Sequence, residues 1–166
     1  SPTARSSRCG RFFRLPPLVD GVSYPFVMVN RGKRSLAVDL KTPEGQEIIR
    51  KLARRADVVV EQFRPGVMAR LGADYDGLAL MNPILVYCSF SGYGQTGPYK
   101  DLPGHDLNFE ALAGILAVTG TKENRRPAIP GVPIADLASG FNAALAILAS
   151  LRTRDRTGRG EFIDLS

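Results

Sequence analysis

The sequence predicts an α/β domain: a parallel sheet flanked by helices. Three observations carry this. Short apolar runs with β-branched or aromatic residues recur at Val58–Val60, Ile84–Phe90 and Glu161–Leu165. Stretches with the 3.6-residue apolar period of a helix separate them. Strands that alternate with helices imply crossover connections, and crossovers join parallel strands. The runs are nearly continuous in apolar character, which suits a sheet covered on both faces.

The chain has 166 residues, 44% of them hydrophobic. That is about one domain, at roughly 100–200 residues each, and too apolar for a fully disordered protein. Two cysteines, Cys9 and Cys88, exclude a disulfide-stapled scaffold and a four-cysteine zinc site. The single histidine, His105, excludes a multi-histidine metal site. No apolar run reaches the roughly 20 residues of a bilayer span. The longest helical one, Phe141–Leu151, is expected to be a buried helix.

Each element can be justified in order. Residues 1–19 carry Arg5, Arg8, Arg11 and Arg14 with no acid before Asp20, four of the six surplus positive charges. This basic, Ser/Pro-rich segment is expected to be disordered, and residues 20–166 to form the folded domain. An Arg-rich, acid-poor terminus also fits a transit peptide, but Pro2, Pro16 and Pro17 interrupt any amphipathic helix. The remaining charge is evenly balanced, so a nucleic-acid partner is not expected. The expected location is cytoplasmic, with mitochondrial or peroxisomal as the eukaryotic alternative.

Arg34–Leu40 reads as a strand. Thr42, Pro43 and Glu44 then open a helix as N-cap, first residue and acidic first turn. Ile48, Ile49, Leu52, Ala53 and Ala56 give it an apolar face. Asp57–Glu61 is a short strand, broken by Arg64-Pro65-Gly66. Short helices are expected at Val67–Leu71 and Tyr75–Met81, and a third strand at Ile84–Phe90. A Gly/Pro-rich loop runs from Ser91 to Gly104. One helix is expected from Asp106 to Val118, and a long one from Asp136 to about Thr153. Glu161–Leu165 closes the pattern as a strand next to Ser166, so the chain is expected to be part of a longer domain.

Gly92, Gly94 and Gly97 fit G-x-G-x-x-G after a strand. A dinucleotide fingerprint needs that turn to open a helix directly and an acid about 20 residues on. Pro98 and Pro103 prevent the first, and Ala117 fails the second. The expected role is a loop whose backbone approaches a ligand. His105 is either structural or a proton donor and acceptor near neutral pH. Asp106 and Asp136 each suit a helix N-cap. Asp136, among apolar and small residues, also suits a nucleophile or base. Lys41, Arg64 and Arg70 follow strands, where cations suit phosphate groups. Cys88, among Ile84, Leu85, Val86 and Phe90, is expected to be a buried structural thiol.

Seven short strings occur in order: NRGKRS from Asn30, KTPEG from Lys41, FRPG from Phe63, SGYGQTGP from Ser91, GHD from Gly104, IADL from Ile134 and RTGRG from Arg156. Together, over residues 20–166, they resemble the class III CoA-transferase family. That family includes formyl-CoA and carnitine CoA-transferases and the α-methylacyl-CoA racemases. The resemblance implies a Rossmann-like large domain, here incomplete, that takes a coenzyme A thioester as substrate, with no tightly bound cofactor and no metal. It implies that Val38, Lys41, Gln62, Phe63, Arg64 and Arg70 hold the nucleotide and phosphates. Pro103 to Asp106, with Gly104 among them, match the segment near the pantetheine. Asp136 matches the catalytic aspartate, and His105 the second base of the racemases.

Two chemistries follow from the resemblance. In the transferases the aspartate attacks the thioester and forms a mixed anhydride. In the racemases the aspartate and histidine exchange an α-proton. The His105/Asp136 pair favours α-proton exchange of a 2-methylacyl-CoA type of thioester. CoA transfer through Asp136 is the alternative, and an inactive CoA-binding fragment a third. The expected partner is an acyl-CoA molecule, with no nucleic acid and no membrane. The family forms interlocked homodimers, built with segments that have no match here.

Overall fold

The computed structural model describes residues 16–122 and 126–166. The basic cluster Arg5 to Arg14, Cys9 and Arg125 lie outside the described residues. The backbone divides into two compact units, Ser1–Asp39 and Leu40–Ser166.

In the first unit, β1 (Leu18–Val19) and β2 (Val22–Ser23) form an antiparallel hairpin. Its turn is Asp20-Gly21, both at positive φ (50° and 77°), the requirement of a two-residue hairpin turn. Helix α1 (Tyr24–Asn30) follows, with a proline in its first turn. The strand expected at Arg34–Leu40 does not form: residues 33–39 carry no regular structure and belong to neither sheet. Leu36 is 62% exposed. Alternating apolar residues make a strand only where a neighbouring strand supplies the ladder.

The second unit is the predicted α/β layer. Helix α2 (Pro43–Ala53) begins at Thr42, whose Oγ1 accepts the Gly45 N–H at 3.1 Å. Strand β3 (Val58–Glu61) leads through α3 (Val67–Arg70) and α4 (Tyr75–Met81) to β4 (Val86–Phe90). Helices α5 (Asp106–Leu112), α6 (Ile115–Val118) and α7 (Ile134–Thr157) then precede β5 (Phe162–Leu165). The sheet order is β3-β4-β5, all parallel, with Val60 opposite Cys88 and Cys88 opposite Ile163. The central strand β4 is buried along four of its five residues.

The core gathers Ala53, Leu78, Leu85 and Tyr87, with Val59, Tyr75 and Met81 packed against them. Asn82, buried at the end of α4, donates to the carbonyls of Ala53 (2.8 Å) and Ala56 (2.9 Å). It thereby ties α4 to the end of α2 and to the turn that follows it. Gly160 donates its N–H to the Pro83 carbonyl (2.9 Å), and a Cβ there would overlap the Leu85 backbone. Only glycine lets the turn before β5 approach β4 so closely.

Two helices differ from expectation. The helix over Asp106–Val118 breaks in two at Gly114, which sits at φ 81°. Helix α7 starts at Ile134, two residues before Asp136, and Phe141–Leu151 is not buried. Phe141, Leu145 and Leu148 are 72%, 65% and 63% exposed, while Ala143 and Ser150 are buried. The helix packs on β4, β5 and α5, buries Ala143 and Ser150, and turns Phe141, Leu145 and Leu148 outward. By length and composition α7, 24 residues long with an 18-residue stretch of mean hydropathy 1.6, is also long and apolar enough for a bilayer span. Hydropathy reports how apolar a helix is, not which side of it meets the sheet.

Candidate functional site

The carboxyl ends of β3, β4 and β5 open into a cavity of about 720 Å³. Such strand ends are where open α/β sheets bind ligands. Gln62, Phe63 and Arg64 enter from the turn after β3, and Gly104, His105 and Asp106 from the end of the Gly-rich loop. Asp136 enters from the first turn of α7. The structure thus brings together seven of the ten sequence-predicted site residues. Lys41, exposed before the Thr42 cap, and Arg70, exposed at the end of α3, do not line this cavity. Val38 belongs to the first unit and is half-buried there.

The Gly-rich loop is held by its own contacts. Gly92 and Gly104 both lie against the Phe109 ring, and a Cβ at either would overlap it. Tyr93 packs edge-on to Phe109 at 5.2 Å and to Tyr99 at 5.9 Å, the arrangement that aromatic quadrupoles favour. The Gln95 N–H bonds to Asp164 Oδ2 at 3.0 Å, and its side chain donates to Ser89 Oγ at 2.8 Å. Ser89 Oγ in turn donates to Glu61 Oε1, whose Oε2 accepts the Phe63 N–H at 2.7 Å. This network ties the loop to the tips of all three strands. These glycines therefore serve close packing on Phe109, and no helix opens at Gly97.

His105 is exposed and is the N-cap residue of α5; its N–H bonds to Asn108 Oδ1 at 3.0 Å. Asp106 is therefore the first residue of that helix and not its cap. Its Oδ1 accepts the Asp136 N–H at 3.0 Å. Asp136 is likewise not a cap, since Pro133 holds that place. It stands at the third helical position, near the positive end of a 24-residue helix, where an anion is favoured. His105, Asp106 and Asp136 therefore line one space. A nucleophilic carboxylate and a separate proton carrier in one cavity permit either acyl transfer or proton exchange.

Sequence reasoning missed Glu110. It is fully buried on α5, and its Oε1 accepts the Ile134 N–H at 3.1 Å. Burial, and after it the neighbouring Asp106 carboxyl, push its pKa above the usual carboxylate value, against the pull of the Ile134 N–H. The legible signal was a lone acid within the apolar run LNFEALAG. Cys88 is fully buried, as expected, and burial, then Glu61, push its thiol pKa up. That disfavours the nucleophilic thiolate. A second cavity of about 430 Å³, reached by Arg64, is lined by Tyr75, Tyr87 and Phe162. The Tyr87 hydroxyl donates to the Ala73 carbonyl at 3.1 Å. Its pKa is raised by burial, then by Glu61 and Asp74.

A parallel sheet with a carboxylate, Asp136, and an imidazole, His105, lining one cavity at its strand ends defines an α/β ligand-binding type of domain. The model of CoA-transferase family III matches residues 7–166, and the chain belongs to that family. It is 44% identical over 137 residues to the succinate–glutarate CoA-transferase of Agrobacterium fabrum, covering 82% of this chain and 34% of that protein. It is 43% identical over 145 residues to human alpha-methylacyl-CoA racemase, covering 87% and 38%. A crystal structure of a CAIB/BAIF family protein from Brucella suis superposes with a TM-score of 0.87 at 39% identity, over 93% of this chain and 42% of that one. The chain spans about a third of the length of the curated relatives it matches.

Proposed function

We propose that the protein carrying this chain moves coenzyme A from an acyl-CoA thioester to a second carboxylic acid, with Asp136 as the nucleophile. The observation that carries this is the position of Asp136: first turn of α7, in the same cavity as Arg64 and the Phe109-packed loop. An Asp136 oxygen attacks the thioester carbonyl, the carbon–sulfur bond breaks, and CoA leaves as thiolate. The acyl group remains on Asp136 as a mixed anhydride. The acceptor carboxylate then attacks the Asp136 carbonyl carbon of this anhydride and displaces the donor as its free carboxylate. The thiolate attacks the acceptor's carbonyl in the new anhydride, which gives the acceptor's CoA thioester and releases the Asp136 carboxylate. Arg64 supplies a cation for the CoA phosphates. Seven of the eight relatives compared carry transferase names, which supports transfer over the α-proton exchange that the His105/Asp136 pair first suggested.

Proton exchange remains the second reading, because His105 shares the cavity and racemisation needs a base on each face of the α-carbon. Two measurements on the full-length protein separate them. Incubation with succinyl-CoA followed by hydroxylamine is expected to give a hydroxamate at Asp136, read by peptide mass. A 2-methylacyl-CoA in deuterated water is expected to gain no α-deuterium. Deuterium uptake without an Asp136 adduct would overturn the transfer reading. For binding, Arg64→Ala is expected to weaken CoA by roughly tenfold or more in calorimetry, from loss of a charge-assisted contact. Unchanged affinity would remove Arg64 from the phosphate site.

A further inference from the structure

We propose that Glu110 is a positioning residue: with Asp106 it holds the first turn of α7 from outside that helix, and so fixes where the Asp136 carboxyl stands in the cavity. The proposal rests on the reading of Asp136 as the reacting group.

The first N–H groups of a helix have no partner within it. Helix α7 has Pro133 as its N-cap residue, with no side-chain acceptor. Helix α5 meets two of these groups instead. Glu110 Oε1 accepts from Ile134 at 3.1 Å, and Asp106 Oδ1 accepts from Asp136 at 3.0 Å. Asp106 and Glu110 are four residues apart, on one face of α5. Each thus stands over one residue of the turn that carries Asp136. Two fixed points, at the first and third helical positions, set both the height and the rotation of that turn.

Glu110 is fully buried, which few acids are. Its Oε2 has no hydrogen-bond partner among the described residues. A buried, unpaired carboxylate oxygen is costly, whereas a protonated one beside the Asp106 carboxyl is not. Burial and Asp106 both favour the protonated acid. The role needs only an acceptor at Oε1, so the neutral amide of glutamine should serve and an apolar side chain should not.

The test uses the full-length protein with Glu110→Gln and Glu110→Met, the latter of similar volume but without a carbonyl acceptor. Amide exchange at Ile134 is expected to rise roughly tenfold in Glu110→Met, while the second half of α7 is unchanged. Glu110→Gln is expected to stay within about twofold of the parent. The kcat for CoA transfer should fall roughly tenfold in Glu110→Met with KM for the CoA thioester unchanged, and recover in Glu110→Gln. Unchanged exchange at Ile134, a uniform rise along α7, or no recovery with glutamine would overturn the proposal. Should Glu110→Met not fold, Asp106→Ala at the half-buried position gives the second reading: faster exchange at Asp136 supports the clamp, and unchanged exchange overturns it. Full turnover in Asp136→Asn, with the exchange effects intact, would sink the role of Asp136 and leave the clamp standing.

Discussion

The Phe109 ring lies between Gly92 and Gly104, and this contact decides what the glycine loop is for. Adding a methyl at Gly92 overpacks the ring and is expected to cost about 1–3 kcal/mol, measured by denaturant unfolding. Shrinking the ring in a Gly92→Ala, Phe109→Ala double variant should then give a non-additive cycle. If the two losses simply add, the contact is not the cause. Glu110 offers a second test through pH. Its pKa is raised in the folded state, so the fold holds its proton more tightly than the unfolded chain does. Stability from this group is fully present below the unfolded value and is lost as pH rises through the folded value. Glutamine has no such proton to lose, so Glu110→Gln should gain stability relative to the parent between acidic and neutral pH. A parent-to-variant gap that stays constant with pH would contradict a raised value. Glu110 was legible only as an odd acid in an apolar run, because an N–H on a distant helix leaves no local trace.

At the scale of elements, ends matter more than middles. Strands β3, β4 and β5 and helices α2, α3 and α4 stand where local apolar patterning places them, since that patterning is carried by their own residues. Helix α2 ends on Asn82, which belongs to another element, and starts on its own Thr42. Thr42→Ala is expected to cost about 1 kcal/mol as a lost N-cap. Asn82→Ala should cost about 2 kcal/mol or more, because it removes two hydrogen bonds of a buried amide, to the Ala53 and Ala56 carbonyls. Thermal melts of both variants test the order, and a larger loss at Thr42 would contradict it. The Asp20-Gly21 hairpin was equally local and could have been predicted, since Asp-Gly is a strong turn signal. The expected strand at Arg34–Leu40 had the right pattern and no sheet to join.

At the scale of the molecule, the outward face of α7 stands out. Phe141, Leu145 and Leu148 line one side of the helix and are largely exposed. Exposed apolar rows of this kind drive association. The 166-residue chain expressed by itself is therefore expected to self-associate, and Leu145→Lys to shift it toward smaller species in analytical ultracentrifugation. A chain that is monomeric before the change, or unaffected by it, would contradict this.

By itself the sequence determined the α/β class, the parallel direction of strands joined by crossovers, and the family, because patterning and ordered motifs are local properties of the chain. It also supplied His105, Asp136 and Arg64 as candidates from residue type and place in the pattern, and Gln62 and Phe63 through the family resemblance. Tertiary structure alone decided that these share one cavity, that Asp106 and Glu110 of α5 meet the first turn of α7, and that α7 shows Phe141, Leu145 and Leu148 to the outside. The physical reason is the same in each case. A hydrogen bond between helices and the buried side of a helix depend on the neighbour, and the neighbour is chosen only when the sheet is assembled.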